Sequence, residues 1–355
     1  IYNINMEKFD NNLNNNLKEN KIRNNYNVLD GVRTFFYVLA INILASVFYM
    51  ILMSIINIFY KGSYADLIKT PFACYVALLI VPLSFFGVFL VYNKVNHINA
   101  KSAVAPTKKF NVWSLVITFA LVGITIVGFM PIINMILTAF TNAGIGNLNS
   151  NPMFPMNTWW RIILGFVAYA VLPAIAEELL FRGIMLRGFS RRASGVASVL
   201  LSAVMFCLMH GSLQQTFYQL ILGVMLGFVA YYTGNILFSM IFHFLNNAIV
   251  VLLELVGGYN SFLNGFSQNF GGYMFAIAIA VMATIVAVLF IWLLKKINKH
   301  SETEDVVVEG DTIIVEQQDK KLGFKEFVLS FDFNEKFYFY SSLIVGLIIW
   351  ICNSF

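Results

Sequence analysis

Nine long apolar stretches dominate the chain. They cover residues 34–60, 71–93, 111–140, 158–180, 194–210, 215–233, 236–256, 272–294 and 337–353. Most of them reach the ~20 residues that a helix needs to cross ~30 Å of hydrocarbon, although the fifth and the ninth are short. We therefore expect an all-α fold, a polytopic transmembrane helix bundle of about eight to nine helices.

Composition supports this class of protein. Hydrophobic residues make up 59% of the 355 residues and charged residues only 12%, which excludes a soluble chain with one buried core. The first thirty residues are polar, so we expect no signal peptide. Cys74, Cys207 and Cys352 each lie within an apolar stretch and share no metal-type spacing, so we interpret them as packing thiols.

The positive charges predict the orientation of the helices. Lysines and arginines cluster before the first apolar stretch and after the second, fourth and eighth. All of these clusters lie on one side of the membrane if the N-terminus is cytoplasmic. The opposite loops, residues 141–157, 211–214 and 257–271, contain no Lys or Arg. We interpret the net charge of +5 as an orientation signal and expect no nucleic-acid partner.

Polar and apolar segments predict a division of the chain into six parts. These are a disordered cytoplasmic tail (1–30), N-terminal transmembrane helices (31–110), an intramembrane core (111–256), an eighth transmembrane helix (257–296), a cytoplasmic segment (297–336) and a C-terminal hydrophobic helix (337–355). Two β-branched runs about Gly310 predict a small hairpin. Residues 320–333 mix Lys with Phe, a pattern typical of a segment on the membrane surface.

Charged residues interrupt the fourth apolar stretch at positions 173–182, Pro-Ala-Ile-Ala-Glu-Glu-Leu-Leu-Phe-Arg. Charges at membrane depth are costly and are usually functional. Glu178 and Arg182 are four residues apart on one helix face, so they can form an ion pair, whereas Glu177 points to different neighbours. Pro173 can kink the helix and release backbone groups beside the carboxylates.

Two of the four histidines, His210 and His243, also lie in or at the ends of apolar helices. A lone intramembrane histidine can simply bond a neighbouring helix, but two of them together with paired carboxylates favour a functional site. Asn247 follows His243 by four residues on the same helix face, and the ring of Phe206 can cover one side of His210. In a hairpin of the fourth and fifth helices, Glu177 and His210 lie at similar depth.

These groups suit the hydrolysis of an amide. A carboxylate in a low-dielectric site is a useful general base near neutral pH. A neutral imidazole can help to hold and deprotonate water, while a second histidine and an asparagine amide can donate hydrogen bonds to a developing oxyanion. No serine or cysteine lies at an obvious nucleophile position, so direct attack by water is the simplest mechanism.

Zinc binding is the alternative role for the same side chains. It accepts two histidines and a carboxylate, here Glu177, His210 and His243, but the His-Glu-x-x-His helix signature is absent. We expect no required cofactor, with zinc as the open alternative.

Three motifs together resemble those of the CAAX protease and bacteriocin-processing family of intramembrane proteases, also called the Abi family. They are Glu177-Glu178-Leu-Leu-Phe-Arg182, Phe206-Cys-Leu-Met-His210 and His243-Phe-Leu-Asn-Asn247. The resemblance covers roughly residues 110–255, and it implies that the core at 111–256 is an intramembrane protease core. Members of the family are often labelled metalloproteases, whereas the eukaryotic prenyl-protein proteases that they resemble work as glutamate proteases.

The resemblance implies a role for each motif residue. Glu177 would be the general base and His210 its partner in activating water. His243 and Asn247 would donate to the oxyanion. The supporting residues would be an ion pair, Glu178 with Arg182, and a packing residue, Phe206.

The first hypothesis is therefore a multi-pass intramembrane endopeptidase of a bacterial cell membrane, which cuts a membrane-associated peptide or protein near the cytoplasmic leaflet. The resemblance suggests bacteriocin or quorum-sensing precursors as substrates. A second hypothesis is a non-enzymatic bacteriocin-immunity or membrane scaffold protein of the same fold. A third is a transporter in which Glu177 and His210 relay protons, but no internal repeat is detectable.

Overall fold

The computed structural model describes residues 22–145, 156–257, 272–298, 306–309, 312–315 and 321–354. Within these residues, eight helices are long and apolar enough to cross a membrane. They are α1 (Val28–Phe59), α3 (Pro71–Val95), α5 (Val112–Asn142), α6 (Trp159–Phe189), α8 (Leu213–Thr233), α9 (Ile236–Leu255), α10 (Tyr273–Ile297) and α12 (Phe333–Ser354). A shorter apolar helix, α7 (Gly195–His210), lies between α6 and α8. The predicted all-α polytopic bundle is confirmed, and the chain is a multi-pass membrane protein.

Short elements connect the long helices. They are the single-turn helices α2 (Tyr64–Leu67) and α4 (Lys101–Val104), the strands β1 (Val306–Glu309) and β2 (Thr312–Val315), and the helix α11 (Phe324–Leu329). The two strands are antiparallel, with Val306 opposite Val315 and Glu309 opposite Thr312. They lie where the sequence predicts a hairpin.

The first helix begins earlier than predicted. Asn27 caps it, since its side chain accepts a hydrogen bond from the Asp30 backbone N–H at 2.9 Å. The Asp30 carboxylate in turn accepts from the Asn27 backbone N–H at 2.8 Å, which completes a capping box. The predicted boundary of the polar tail at residue 30 is therefore too late. Residues 1–21 of that predicted tail lie outside the described residues.

Two other helices are longer than the sequence suggested. The fourth apolar stretch was predicted to end at residue 180, but α6 continues through Arg182 to Phe189 because that arginine is paired within the protein. The last stretch was predicted to be short, but α12 has 22 residues because it starts at Phe333. The Asp332 side chain accepts from the Glu335 backbone N–H at 2.8 Å and so caps this start.

Helix α6 lies inside the bundle, where it packs against α1, α3, α7 and α9. One hydrophobic core on one side of it is built mainly from α1, α3, α6 and α7 and includes Phe35, Phe181 and Phe206. A second core joins α5, α8, α9 and α10 and includes Leu226 and Phe242. The polar residues of α6, α7 and α9 therefore meet where these two cores adjoin.

The segment before α12 packs against the turn between α6 and α7. The Leu322 backbone N–H donates to the Arg192 carbonyl at 3.0 Å, and the Ser194 backbone N–H donates to the Leu322 carbonyl at 2.8 Å. Phe327 is fully buried and meets the ring of Phe189 edge-on, with the ring centroids 6.1 Å apart. Phe327 therefore anchors this segment in the protein, while Phe324, Leu329 and Phe333 are exposed, so a position at the membrane surface stays a prediction.

We predict that Phe327→Ala lowers the thermal unfolding midpoint of the detergent-purified protein. Removing a buried phenylalanine ring typically costs about 3–5 kcal/mol, because contacts are lost and a cavity remains. Phe324 lies on the same short helix with 45% of its surface exposed, so Phe324→Ala is the matched control. Equal midpoints for the two variants would show that residues 321–333 do not anchor the α6–α7 turn.

Candidate active site

The helix that carries the paired glutamates is irregular on both sides of them. Two π-helical turns, Val167–Val171 and Leu179–Leu186, flank the α-helical turn Leu172–Glu178. Pro173 has no N–H to donate to the carbonyl four residues earlier, which belongs to Tyr169. That carbonyl accepts a hydrogen bond from Asn247 Nδ2 at 3.1 Å. The prediction that Pro173 makes backbone groups available near the carboxylates is confirmed, and π-helical turns are frequent at functional sites.

Glu178 is the centre of a buried ion network. It is fully buried, and its Oε1 lies 2.6 Å from Arg182 Nη1 and 3.0 Å from His243 Nδ1. Arg182 Nη2 donates to the Gly223 carbonyl at 3.1 Å, which ties α6 to α8. The predicted pair of Glu178 and Arg182 is confirmed. Its contact with His243 was not predicted, and it ties α6 to α9.

Glu177 has a different environment from its neighbour. It is 9% exposed, and its Oε2 lies 3.9 Å from His243 Nε2, the ring nitrogen opposite the one that Glu178 contacts. That oxygen has no hydrogen-bond partner among the residues described. A carboxylate oxygen with no donor of its own can accept a proton from a water molecule, which is what a general base requires.

Phe206 separates the two histidine rings. Its ring is edge-on to His210, at 4.8 Å between centroids, and edge-on to His243, at 5.9 Å. The Arg182 guanidinium carbon lies 4.7 Å from the centre of the same ring. The sequence predicted that Phe206 covers one side of His210, and the structure shows that it contacts both histidines and the arginine.

The hydrogen bond of His210 fixes which nitrogen carries the proton. His210 Nδ1 lies 2.8 Å from the Phe206 carbonyl oxygen. A carbonyl only accepts hydrogen bonds, so Nδ1 must donate, and Nε2 of the neutral ring is left as an acceptor. His210 can therefore accept a hydrogen bond from water through Nε2.

Two residues that the sequence analysis missed hold Asn247. Asn246 Nδ2 donates to Asn247 Oδ1 at 3.2 Å, and the Tyr218 hydroxyl donates to Asn246 Oδ1. The Asn247 amide nitrogen also donates to the Tyr169 carbonyl, so its second N–H remains for a ligand oxygen. The second asparagine within the motif was the one available signal for Asn246. Nothing in the sequence distinguished Tyr218 from other aromatic residues of apolar helices.

A three-ligand metal site needs three donor side chains close together. Across the described ranges, no three His, Cys, Asp or Glu side chains are placed to hold one metal ion together. Zinc bound by Glu177, His210 and His243 stays an open alternative, and no step below is routed through a metal.

Close approach of α8 to α7 brings the site together. A Cβ atom on Gly223 would lie 3.1 Å from Ala203 Cα and 3.3 Å from Phe206 Cδ1. A Cβ atom on Gly227 would lie 2.8 Å from Val199 Cγ1. The Gly-x-x-x-Gly pattern thus packs two helices closely, as small residues do in membranes. Gly223 also lies against the ring that contacts both histidines.

We predict that Gly223→Ala lowers the turnover of a cleaved peptide but leaves the thermal unfolding midpoint nearly unchanged. The added methyl group needs Phe206 or Ala203 to shift by a few tenths of an ångström, and Phe206 positions His210. The matched control is Gly87→Ala, because a Cβ atom on that α3 glycine meets nothing within 4 Å. Unchanged turnover in Gly223→Ala, measured on any cleaved peptide, would contradict the role of this contact.

Comparison with known proteins finds a similar family for the part of the chain that carries the three motifs. Residues 158–249 match the sequence profile of the family described as type II CAAX prenyl endopeptidase, Rce1-like. The matched region begins at the start of α6 and includes every residue of the three motifs. No curated protein and no solved structure matches the chain. The match supports the resemblance seen in the motifs: residues 158–249 are similar to this family of proteases.

Proposed function

We propose that this protein is an intramembrane endopeptidase in which a water molecule, activated by Glu177 and His210, hydrolyses a peptide bond. The observation that carries the proposal is the contrast between the adjacent carboxylates. Both carboxylates keep an Oε2 without a hydrogen-bond partner among the described residues. Glu178, however, is fully buried and its Oε1 binds Arg182 and His243, whereas Glu177 is 9% exposed and its Oε2 lies 3.9 Å from His243 Nε2.

In this mechanism Glu177 takes a proton from water as the water oxygen attacks the scissile carbonyl carbon. His210 Nε2 accepts the second hydrogen bond of that water, since Nδ1 is held by the Phe206 carbonyl. The proton taken by Glu177 then passes to the leaving amine nitrogen as the carbon–nitrogen bond breaks. The products are a carboxylic acid and an amine, with Glu177 restored as a carboxylate.

Two groups would stabilise the oxyanion of the tetrahedral intermediate. Asn247 offers the amide N–H that is not bonded to the Tyr169 carbonyl. His243 offers Nε2, and because Nδ1 faces the Glu178 carboxylate, donation from Nε2 requires a proton on both ring nitrogens. Loss of one such donor typically costs about 10²–10³-fold in turnover.

The substrate would be a membrane-associated peptide or protein that reaches the site from the lipid bilayer. We place the N-terminus in the cytoplasm because the basic residues that follow α6 and α10 then share the cytoplasmic face. Residues 321–333 dock on the α6–α7 turn, which puts the predicted cytoplasmic segment on the same side of the membrane as the basic residues that follow α6. A bacterial cell membrane remains the proposed location, with bacteriocin or quorum-sensing precursors as candidate substrates.

The direct test is cleavage of a panel of fluorogenic peptides by the purified protein in detergent. We expect Glu177→Gln to lose at least ~10²-fold in turnover, because glutamine keeps the shape but cannot accept the proton. Glu254→Gln is the control, since Glu254 is an exposed carboxylate in α9 that the mechanism does not use. Wild-type protein with a chelator forms the third arm.

Each arm has a defined meaning. Full activity in Glu177→Gln would refute the mechanism. Activity that survives the chelator but not Glu177→Gln would establish a glutamate protease, whereas loss in both would reveal a metal requirement. A scaffold or immunity protein would show no cleavage in any arm and would tolerate Glu177→Gln in a binding assay.

A further inference from the structure

Gln219 of α8 is a polar residue that the mechanism above does not use. It is partly buried, and its Oε1 is fully shielded from solvent without a hydrogen-bond partner among the described residues. Leaving a buried acceptor unpaired is costly, so such an oxygen in a native structure calls for an explanation. One explanation is that the missing donor belongs to a ligand.

The α7–α8 hairpin places Gln219 opposite His210. The two helices are antiparallel neighbours, and the backbone of Gly223 faces the ring of Phe206. One helical turn from Gly223 toward the connecting loop is Gln219, and one turn from Phe206 in the same direction is His210. The His210 ring folds back over that turn, as its hydrogen bond to the Phe206 carbonyl shows.

Tyr218, the residue before Gln219, shows which side of α8 faces α9. Tyr218 reaches α9, where its hydroxyl donates to Asn246. Gly223 faces α7. At about 100° of rotation per residue, Gln219 lies about 40° around the α8 axis from Gly223. It lies between Gly223 and Tyr218 on the helix surface. Gln219 therefore lies on the part of the α8 surface between the side that meets α7 and the side that meets α9.

We propose that Gln219 Oε1 binds a backbone N–H of the substrate peptide beside the scissile bond. A peptide held beside this part of α8 would have its carbonyl oxygen at the oxyanion donors of α9. The N–H groups of its neighbouring residues then need acceptors. Glu177 accepts the proton of water, and Glu178 is fully buried with its Oε1 bound to Arg182 and His243. Gln219 is only partly buried and offers its unpartnered Oε1 to the peptide backbone. Gln219 is thus a substrate-positioning residue, an inference that rests on the proposed function.

The test measures binding of the peptide, with cleavage blocked by Glu177→Gln. The probe is the fluorescently labelled panel peptide that binds this protein most tightly in detergent, followed by fluorescence anisotropy. Adding Gln219→Met, which keeps the side-chain length but removes the acceptor, should weaken binding about tenfold, as expected for one lost hydrogen bond. Adding Gln215→Met, one turn away on the same helix and exposed, should leave binding unchanged.

A second measurement changes the peptide and leaves the protein intact. Replacing the backbone N–H next to the scissile bond by an ester oxygen should weaken binding to the Gln219 protein and have no effect on binding to Gln219→Met. Equal binding by Gln219→Met and Gln215→Met, an equal ester effect in both proteins, or no binding by any peptide would overturn the inference. Binding that depends on Gln219 without cleavage by the wild type would refute the proposed function alone.

Discussion

The carboxylate of Glu178, shared between Arg182 and His243, is the interaction on which the site depends. An ion pair this deeply buried gains little net stability, since desolvation of both charges offsets their attraction. Its effect here is geometric. Arg182 also binds the Gly223 carbonyl of α8, and His243 belongs to α9, so one carboxylate of α6 fixes the relative positions of three helices. Glu177, the next residue, is thereby presented to the opposite nitrogen of the same imidazole.

Backbone irregularity supplies the rest of the geometry. The missing N–H of Pro173 leaves the Tyr169 carbonyl to bond Asn247, and the π-helical turns on both sides shift the register of α6 around the glutamates. Gly223 lets α8 approach closely enough for Phe206 to pack between the two histidines. These features bring polar groups from four helices together in a part of the protein where unpaired polar groups are costly.

Much of this was predictable from the sequence. Apolar length predicted eight to nine spanning helices, and i to i+4 spacing predicted the pair of Glu178 and Arg182, both of which the structure confirms. The common depth of Glu177 and His210 stays a prediction. Contacts between helices were not predictable, because spacing along one helix says nothing about which neighbour it faces. The bond between His243 and Glu178 and the support of Asn247 by Asn246 and Tyr218 are of this kind. The start of α1 was missed because its cap lies within an Asn-rich segment.

The most direct measurement of this account compares Arg182→Met with the double variant Arg182→Met/Glu178→Gln in detergent, by thermal unfolding. The single variant leaves Glu178 buried without its arginine, which typically costs about 3–5 kcal/mol, so its midpoint should fall sharply. The double variant removes the stranded charge and should recover much of the midpoint without recovering activity. If Arg182→Met unfolds like the wild type, or if the double variant is as unstable as the single one, the shared carboxylate does not hold the site together.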